Sequence, residues 1–354
     1  MKKIITSVLL SIISVVGFPQ TVRIANSNPG AVSGVNVYTG GTSINQAITA
    51  SANGDIVYVV PSSIVYNEAR FDGKNVTLIG GGFNPDKPGA ARSTLSSVYL
   101  NANNVRLSGL VINSALNIPG AFNNIMIDKC RFGHLTDGSG GSAKGNLIIQ
   151  NCIIGEFGQS GGAAVYVGIG SSGVRISNNI IYIPSVNGSG IDRLNNAIIE
   201  NNVFIGNVSG ATVPAFRDVT NSDIRSNIFY AVRTNITVGT FTGNVQQFNL
   251  SFDASDNTFL TTNGNTSVSN IIGQNPLFVN HPVGTAHSFT YDTHLQATSP
   301  AKGTGQGGID MGIYGGATPF DPFGTSLPIV QTIIAPGSVV QGTNMNVQVK
   351  GKGN

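Results

Sequence analysis

Thirteen aspartates and three glutamates are the whole acidic inventory of this 354-residue chain, so the search for acid–base chemistry is short. The densest spot pairs IDR (191–193) with FRD (216–218), and counting against the repeat that runs through the chain sets Asp192 opposite Arg217 and Arg193 opposite Asp218. Four groups alternating in sign can act as acid, base and anion clamp, or can neutralise one another as an exposed salt-bridge cluster worth at most about 1 kcal/mol. A second spot stacks His134 over Glu156, with Asp137 in the glycine-rich run HLTDGSGGS; Glu156 and Asp137 could form the acid and base pair of a hydrolase. A third holds His281, His287, Asp292 and His294 in a loop-rich stretch, ligand types for a metal but at no compact zinc spacing. No HExxH helix or GxxxxGK[ST] loop occurs, and without tryptophan a sugar-stacking platform would rest on the nine tyrosines.

The elements that must position these residues come from a repeat. NNVRLSGLVI (103–112), NNIMIDKCRF (123–132), GNLIIQNCII (145–154), SGVRISNNII (172–181), NNAIIENNVF (195–204) and TNSDIRSNIF (220–229) share one unit. A fixed column passes through Leu110, Cys130, Cys152, Asn179, Asn202 and Asn227, with Asn257 as a weaker seventh member. Variable spacing around a constant unit is what stacked coils produce, because loops absorb the length differences while parallel strands stay in register about 4.8 Å apart. Three aliphatic or aromatic columns then fill the tube: Val105 to Ala197, Leu107 to Ile224 and Ile112 to Phe229. A ladder of Asn179, Asn202 and Asn227 carboxamides would satisfy the backbone where each coil turns. Cys130 and Cys152 share that column one turn apart, in reach of a disulfide, though parallel side chains favour two buried free thiols.

This pattern resembles the right-handed parallel β-helix proteins of the pectin lyase-like group over roughly residues 40–316. Residues 42–82 are similar to the opening of such proteins: a short amphipathic helix with Ile44, Ala47 and Ile48 on one face to plug the tube, a GD turn, a strand and a V-x-L-x-G turn. SPAKGTGQGGIDMGIYGG (299–316) resembles their closing motif, in which Ile309, Met311 and Ile313 would alternate as a last strand. The resemblance implies an all-β fold and, for the lyases of the group, calcium held by carboxylates with an arginine or lysine as base.

The flanks are of different texture. Residues 1–17 read as a signal peptide, Lys2 and Lys3 followed by an apolar run too short to span a bilayer, with the mature chain starting near Phe18. Its style resembles Gram-negative export signals and predicts an extracellular or outer-surface protein with no membrane span. Residues 18–41 read as a lead segment, 42–320 as the β-helix with its caps, and 321–354 as a short β tail that either caps the solenoid or docks on a partner. The formal charge is +3, two units of which leave with the signal, so no field remains to hold nucleic acid. The expectation is a non-catalytic surface binding, adhesion or assembly subunit that needs no cofactor and engages an extracellular glycan or another cell-surface protein. The alternative is a polysaccharide lyase or glycoside hydrolase, with calcium if a lyase.

Overall fold

The computed structural model describes residues 20–352 apart from 86–91, 139–140, 157–161, 185–186, 211, 236–238, 325–328 and 335–347. The signal segment lies outside the described residues. The chain coils into a parallel β-solenoid in which one flank is a twelve-stranded sheet and the other two belong to a single bent sheet of fifteen strands. The bend is carried by the long strands Val111–Asn117 and Arg131–Thr136. The first half of Arg131–Thr136 pairs with Ile153–Ile154 and its second half with Ala163–Tyr166, so one strand starts two flanks. Strand ladders are in register, as in Ile149↔Ile176, Ile176↔Ile199 and Ile199↔Ile224.

The corner between the first two flanks explains the repeat. At each turn one residue takes a left-handed conformation: Lys129, Asn151, Asn178, Asn201, Ser226, Phe248 and Ser269 all have φ between 51° and 55°. Asparagine is the side chain that best tolerates this region after glycine, which accounts for the first letter of each NN pair. The second letter points inward and forms the ladder. Each rung's Oδ1 accepts the backbone amide of the preceding rung: Cys152 N to Asn179, Asn179 N to Asn202, Asn202 N to Asn227 and Asn227 N to Asn249, all at 2.9–3.0 Å. Asn249 then hands on to Asn270 at 2.8 Å. The column therefore continues through Asn249 and Asn270, and Asn257 is not in it; its carboxamide caps a local turn at Ala254. The corner between Asn227 and Asn257 reads FNLSF, where phenylalanine takes the left-handed position and the NN pair that marks other turns is absent.

At the head of the ladder Cys152 Sγ accepts the Cys130 amide at 3.4 Å, and both thiols are free and fully buried. Burial pushes the Cys130 thiol up to about 12. Neither cysteine should react with a thiol reagent in native protein at neutral pH, and both should react once the chain is unfolded; stoichiometric labelling without denaturant would contradict this packing.

Sequence and structure differ at the ends. Over its described residues, 20–41, the expected lead segment is not separate: Val22–Asn26 lies between Val37–Thr39 and Ile56–Val59 as the start of the twelve-stranded sheet. The helix Ser43–Ala50 buries Ile44, Ala47 and Ile48 against these first strands. The larger correction concerns the closing motif. Ile309, Met311 and Ile313 form no strand and do not end the tube. Residues 299–324 run as an irregular strap along the outside, back toward the N-terminal end, and bury Met311, Ile313 and Phe320 on an outward row of Ile153, Ile180, Val203 and Ile228. That row consists of the residues after the ladder positions, so adjacent apolar pairs such as Ile153–Ile154 and Val203–Phe204 are buried on both faces of one strand.

The outward corner residues hold the strap in place. Ser226 Oγ accepts the Gln306 amide, and Asn201 Nδ2 reaches the Asp310 and Gly312 carbonyls. Asn178 Nδ2 donates to Ile313 and Gly315 at 2.9 and 2.7 Å, and Asn151, its carboxamide turned nitrogen-first, reaches Thr318 and Pro319. Lys129 pairs with Asp321 at 3.1 Å, and Phe320 stacks on Phe83. Beyond the strap, Ile329–Ile334 and Gln348–Lys352 form an antiparallel hairpin that belongs to neither solenoid sheet.

Candidate functional site

The third flank brings the IDR and FRD segments together. Strands Ala163–Tyr166, Ser189–Asn195 and Phe216–Thr220 pair so that Tyr166, Asp192 and Arg217 form one row across three turns. The next position on two of these strands leaves the extended conformation without a shift in register: Arg193 and Asp218 have φ of 56° and 48°. Left-handed backbone is uncommon for residues other than glycine and asparagine, and here it re-aims two successive charged side chains outward. Arg193 and Asp218 line an open groove of about 480 Å³ together with Ile169, Gly170, Asn195 and Thr240. The loop carrying Ile169 and Gly170 forms one wall, braced where Gly168 lies against the Ser142 carbonyl so closely that no Cβ would fit.

Asp192 pairs with Arg217 at 3.9 Å as the register requires, whereas Arg193 does not turn to Asp218. Its guanidinium hydrogen-bonds the Tyr166 hydroxyl and lies 5.1 Å from the centre of that ring, a cation–π contact across turns. Asp218 instead accepts the Thr240 amide at 2.7 Å. The exposed, mutually neutralising cluster is thus corrected at one member: Asp192 is buried, and its Oδ1 has no hydrogen-bond partner. Burial raises its carboxyl above the ordinary range and Asp218 adds to the rise, against the lowering pull of Arg217 and Arg193.

The other candidates do not converge. Glu156 is drawn to Arg131, whose Nε lies 2.5 Å away, because the chain leaves the sheet at Gly155, where φ is 101°. Glu156 remains raised by burial against the pull of Arg131. His134 pairs by register with Ala115, its Nδ1 is buried without a partner, and burial lowers its pKa. Asp137 accepts the Gly141 and Ser142 amides and so shapes its own loop. Among the histidines, His281 lies edge-on to Tyr230, and His287 packs edge-on to Phe289 with both ring nitrogens unpartnered. His294 stacks on Tyr314 at 3.7 Å and holds Asp292 at 2.6 Å on the exterior. Among the described residues no three His, Cys, Asp or Glu side chains stand together as a group that could hold a metal ion.

Two features escaped the sequence. One is the groove wall, since nothing in GIGSSG marks it as more than turn glycines. The other is a second ladder at the opposite corner, where Ser222, Asn244 and Asn265 take over from the aliphatic column: Ser222 N donates to Asn244 and Asn244 N to Asn265, each at 2.9 Å. The NTSVSN and GNVQQFN strings carried that signal.

No family profile matches the sequence, and no curated protein matches it. Among solved structures the chain is similar to pectate lyase Pel9A, with a TM-score of 0.52 at 13% identity, over 84% of this chain and 96% of that one. It also aligns with an alginate lyase from Paenibacillus sp. str. FPU-7 (TM-score 0.41, 14% identity, 69% and 94% covered). PfbA, a surface adhesin of Streptococcus pneumoniae, gives 0.37 at 14% identity, over 60% and 75% of the two chains. The pectate lyase likeness establishes the fold, a pectin lyase-like parallel β-helix. No helix among the described residues is long and apolar enough to cross a membrane.

Proposed function

We propose that this chain is an exported, surface-associated binding subunit that holds a strand of extracellular glycan in the groove of the third flank. The observation that carries this reading is the character of the groove. It is open and elongated along the stack, and it presents a guanidinium fixed against Tyr166, a carboxylate fixed by Thr240, an amide and hydroxyls. Such a mixed row of prearranged donors and acceptors suits a hydroxyl-rich chain. Export through residues 1–17, in the manner of a Gram-negative signal, places the subunit where such glycans occur. A cell-surface protein engaged through the β tail is compatible with the same role.

One observation favours an enzyme: Asp192 is a buried carboxyl with a raised pKa and an unpaired oxygen, the state of a general acid. Its Arg217 partner and its burial weigh against it. A panel of neutral and acidic polysaccharides separates the two. The binding reading expects retention of at least one glycan, a loss of about tenfold or more in affinity on Arg193→Ala, and no new reducing or unsaturated ends. Release of such ends, abolished by Asp192→Asn with the fold intact, would replace it with the glycosidase or lyase reading.

A further inference from the structure

The two ends of the rod are closed differently. The N-terminal mouth carries the helix Ser43–Ala50, while the last rung, Thr266–Val268 and Ile271–Ile272, pairs only with the rung before it. Thr266 donates to Asn244 O and Val268 accepts from Phe248, so the Ser267 amide and carbonyl between them face away from the rod. No described residue pairs with that edge. Val268 and Ile272 beside it are half exposed, at 50% and 51%. An unpaired strand edge of this kind templates further strands.

Two described strand pairs lie outside the solenoid sheets: Phe278–Asn280 with Asp292–Leu295, which Phe278 and His281 hold against Tyr230 on the flank of an earlier turn, and the hairpin Ile329–Ile334 with Gln348–Lys352, and the strap decides whose hairpin the second can be. The strap delivers the chain to Phe83, against which Gly324 packs. The neighbouring strand Thr77–Ile79 stands eight strand steps from Thr266–Val268, about 38 Å along the rod. Ile329 follows Gly324 by five residues, a reach of at most about 17 Å. A strand added to the last rung lies across the rod axis, so Ile329 itself would have to stand at that height. This hairpin cannot cover the open end of its own rod. The N-terminal mouth, three strand steps or about 14 Å away in the other direction, is within reach.

We infer that the open rung is a docking edge for a second copy of this chain: rods stack head to tail, and the hairpin of one copy adds to the last rung of the next. The contact is heterologous, so it propagates into a fibre rather than closing into a dimer. Light scattering of the full chain across a wide concentration range should show masses rising through successive multiples of the monomer. Val268→Lys with Ile272→Lys, at exposed positions that leave the tube intact, should hold the protein at monomer mass, and so should Thr332→Pro, which breaks the hairpin pairing opposite Lys350. A wild-type chain that stays monomeric throughout, with its hairpin folded onto its own first strands, overturns the inference. So does assembly that survives either variant, since another surface would then be responsible.

Discussion

Asn202→Ala is expected to lower the free energy of unfolding by about 3–5 kcal/mol, most of it from buried polar groups left without partners. Asn202 is fully buried, and its side chain makes four hydrogen bonds. Oδ1 accepts from both the backbone and side-chain nitrogens of Asn179 at 3.0 Å. Nδ2 donates to Ile176 O at 2.9 Å and to Asn227 Oδ1 at 3.0 Å. Truncation orphans the Asn179 amide and the Ile176 carbonyl in a dry interior, where each costs about 1–3 kcal/mol. Lys302→Ala, which removes an exposed ion pair to Asp310, is the control and should cost under about 1 kcal/mol. Urea unfolding of the two variants is the measurement; equal midpoints would mean the ladder does not hold the corner.

Acid should destabilise the protein well above the carboxylate range, through His287. Burial, with smaller contributions from His281 and Arg131, lowers its pKa from 6.5 to about 3. The folded chain therefore keeps this imidazole neutral where the unfolded chain protonates it. Stability is full above pH 6.5 and is lost as pH falls toward 3, at about 1.4 kcal/mol per pH unit within that window, or about 3 kcal/mol between pH 7 and pH 4. His134 and His281, also lowered by burial, act in the same direction, and the raised carboxyls of Asp192 and Glu156 act against it. His287→Phe isolates the effect, because the ring sits among Ile180, Phe289, Tyr314 and Phe320. The variant should keep neutral-pH stability and lose most of the difference between pH 7 and pH 4. An unchanged pH dependence would show that His287 is solvated in the native state.

The tube was legible in the sequence because its physics is local and periodic. One polar residue at a corner and alternating apolar residues on either side recur whatever the loops do, and Asn179, Asn202 and Asn227 report that directly. The strap was not legible, because its partners are outward asparagines whose neighbours in sequence do the conspicuous work. In NN (178–179) and NN (201–202) the two letters have unrelated jobs, one satisfying the interior and one gripping residues 310–315. The site was legible in part: strand register set Asp192 against Arg217, but the left-handed backbone at Arg193 and Asp218 turned that second pair apart. Register arithmetic assumes every residue is extended, and two that are not changed which charges meet.

A stack of coils bound only to nearest neighbours could unzip one turn at a time from either end. The strap forbids this. It ties Gln306 to Ser226, 80 residues earlier, and Pro322 to Asn84, 238 residues earlier, crossing the intervening turns on the way. Fraying at one end therefore strips contacts from turns in the middle, and the array melts as one cooperative unit. The same contacts order its assembly: a segment that grips corners from Lys129 to Ser226 has nothing to grip until those corners exist, so the strap docks last and raises the barrier to leaving the native state.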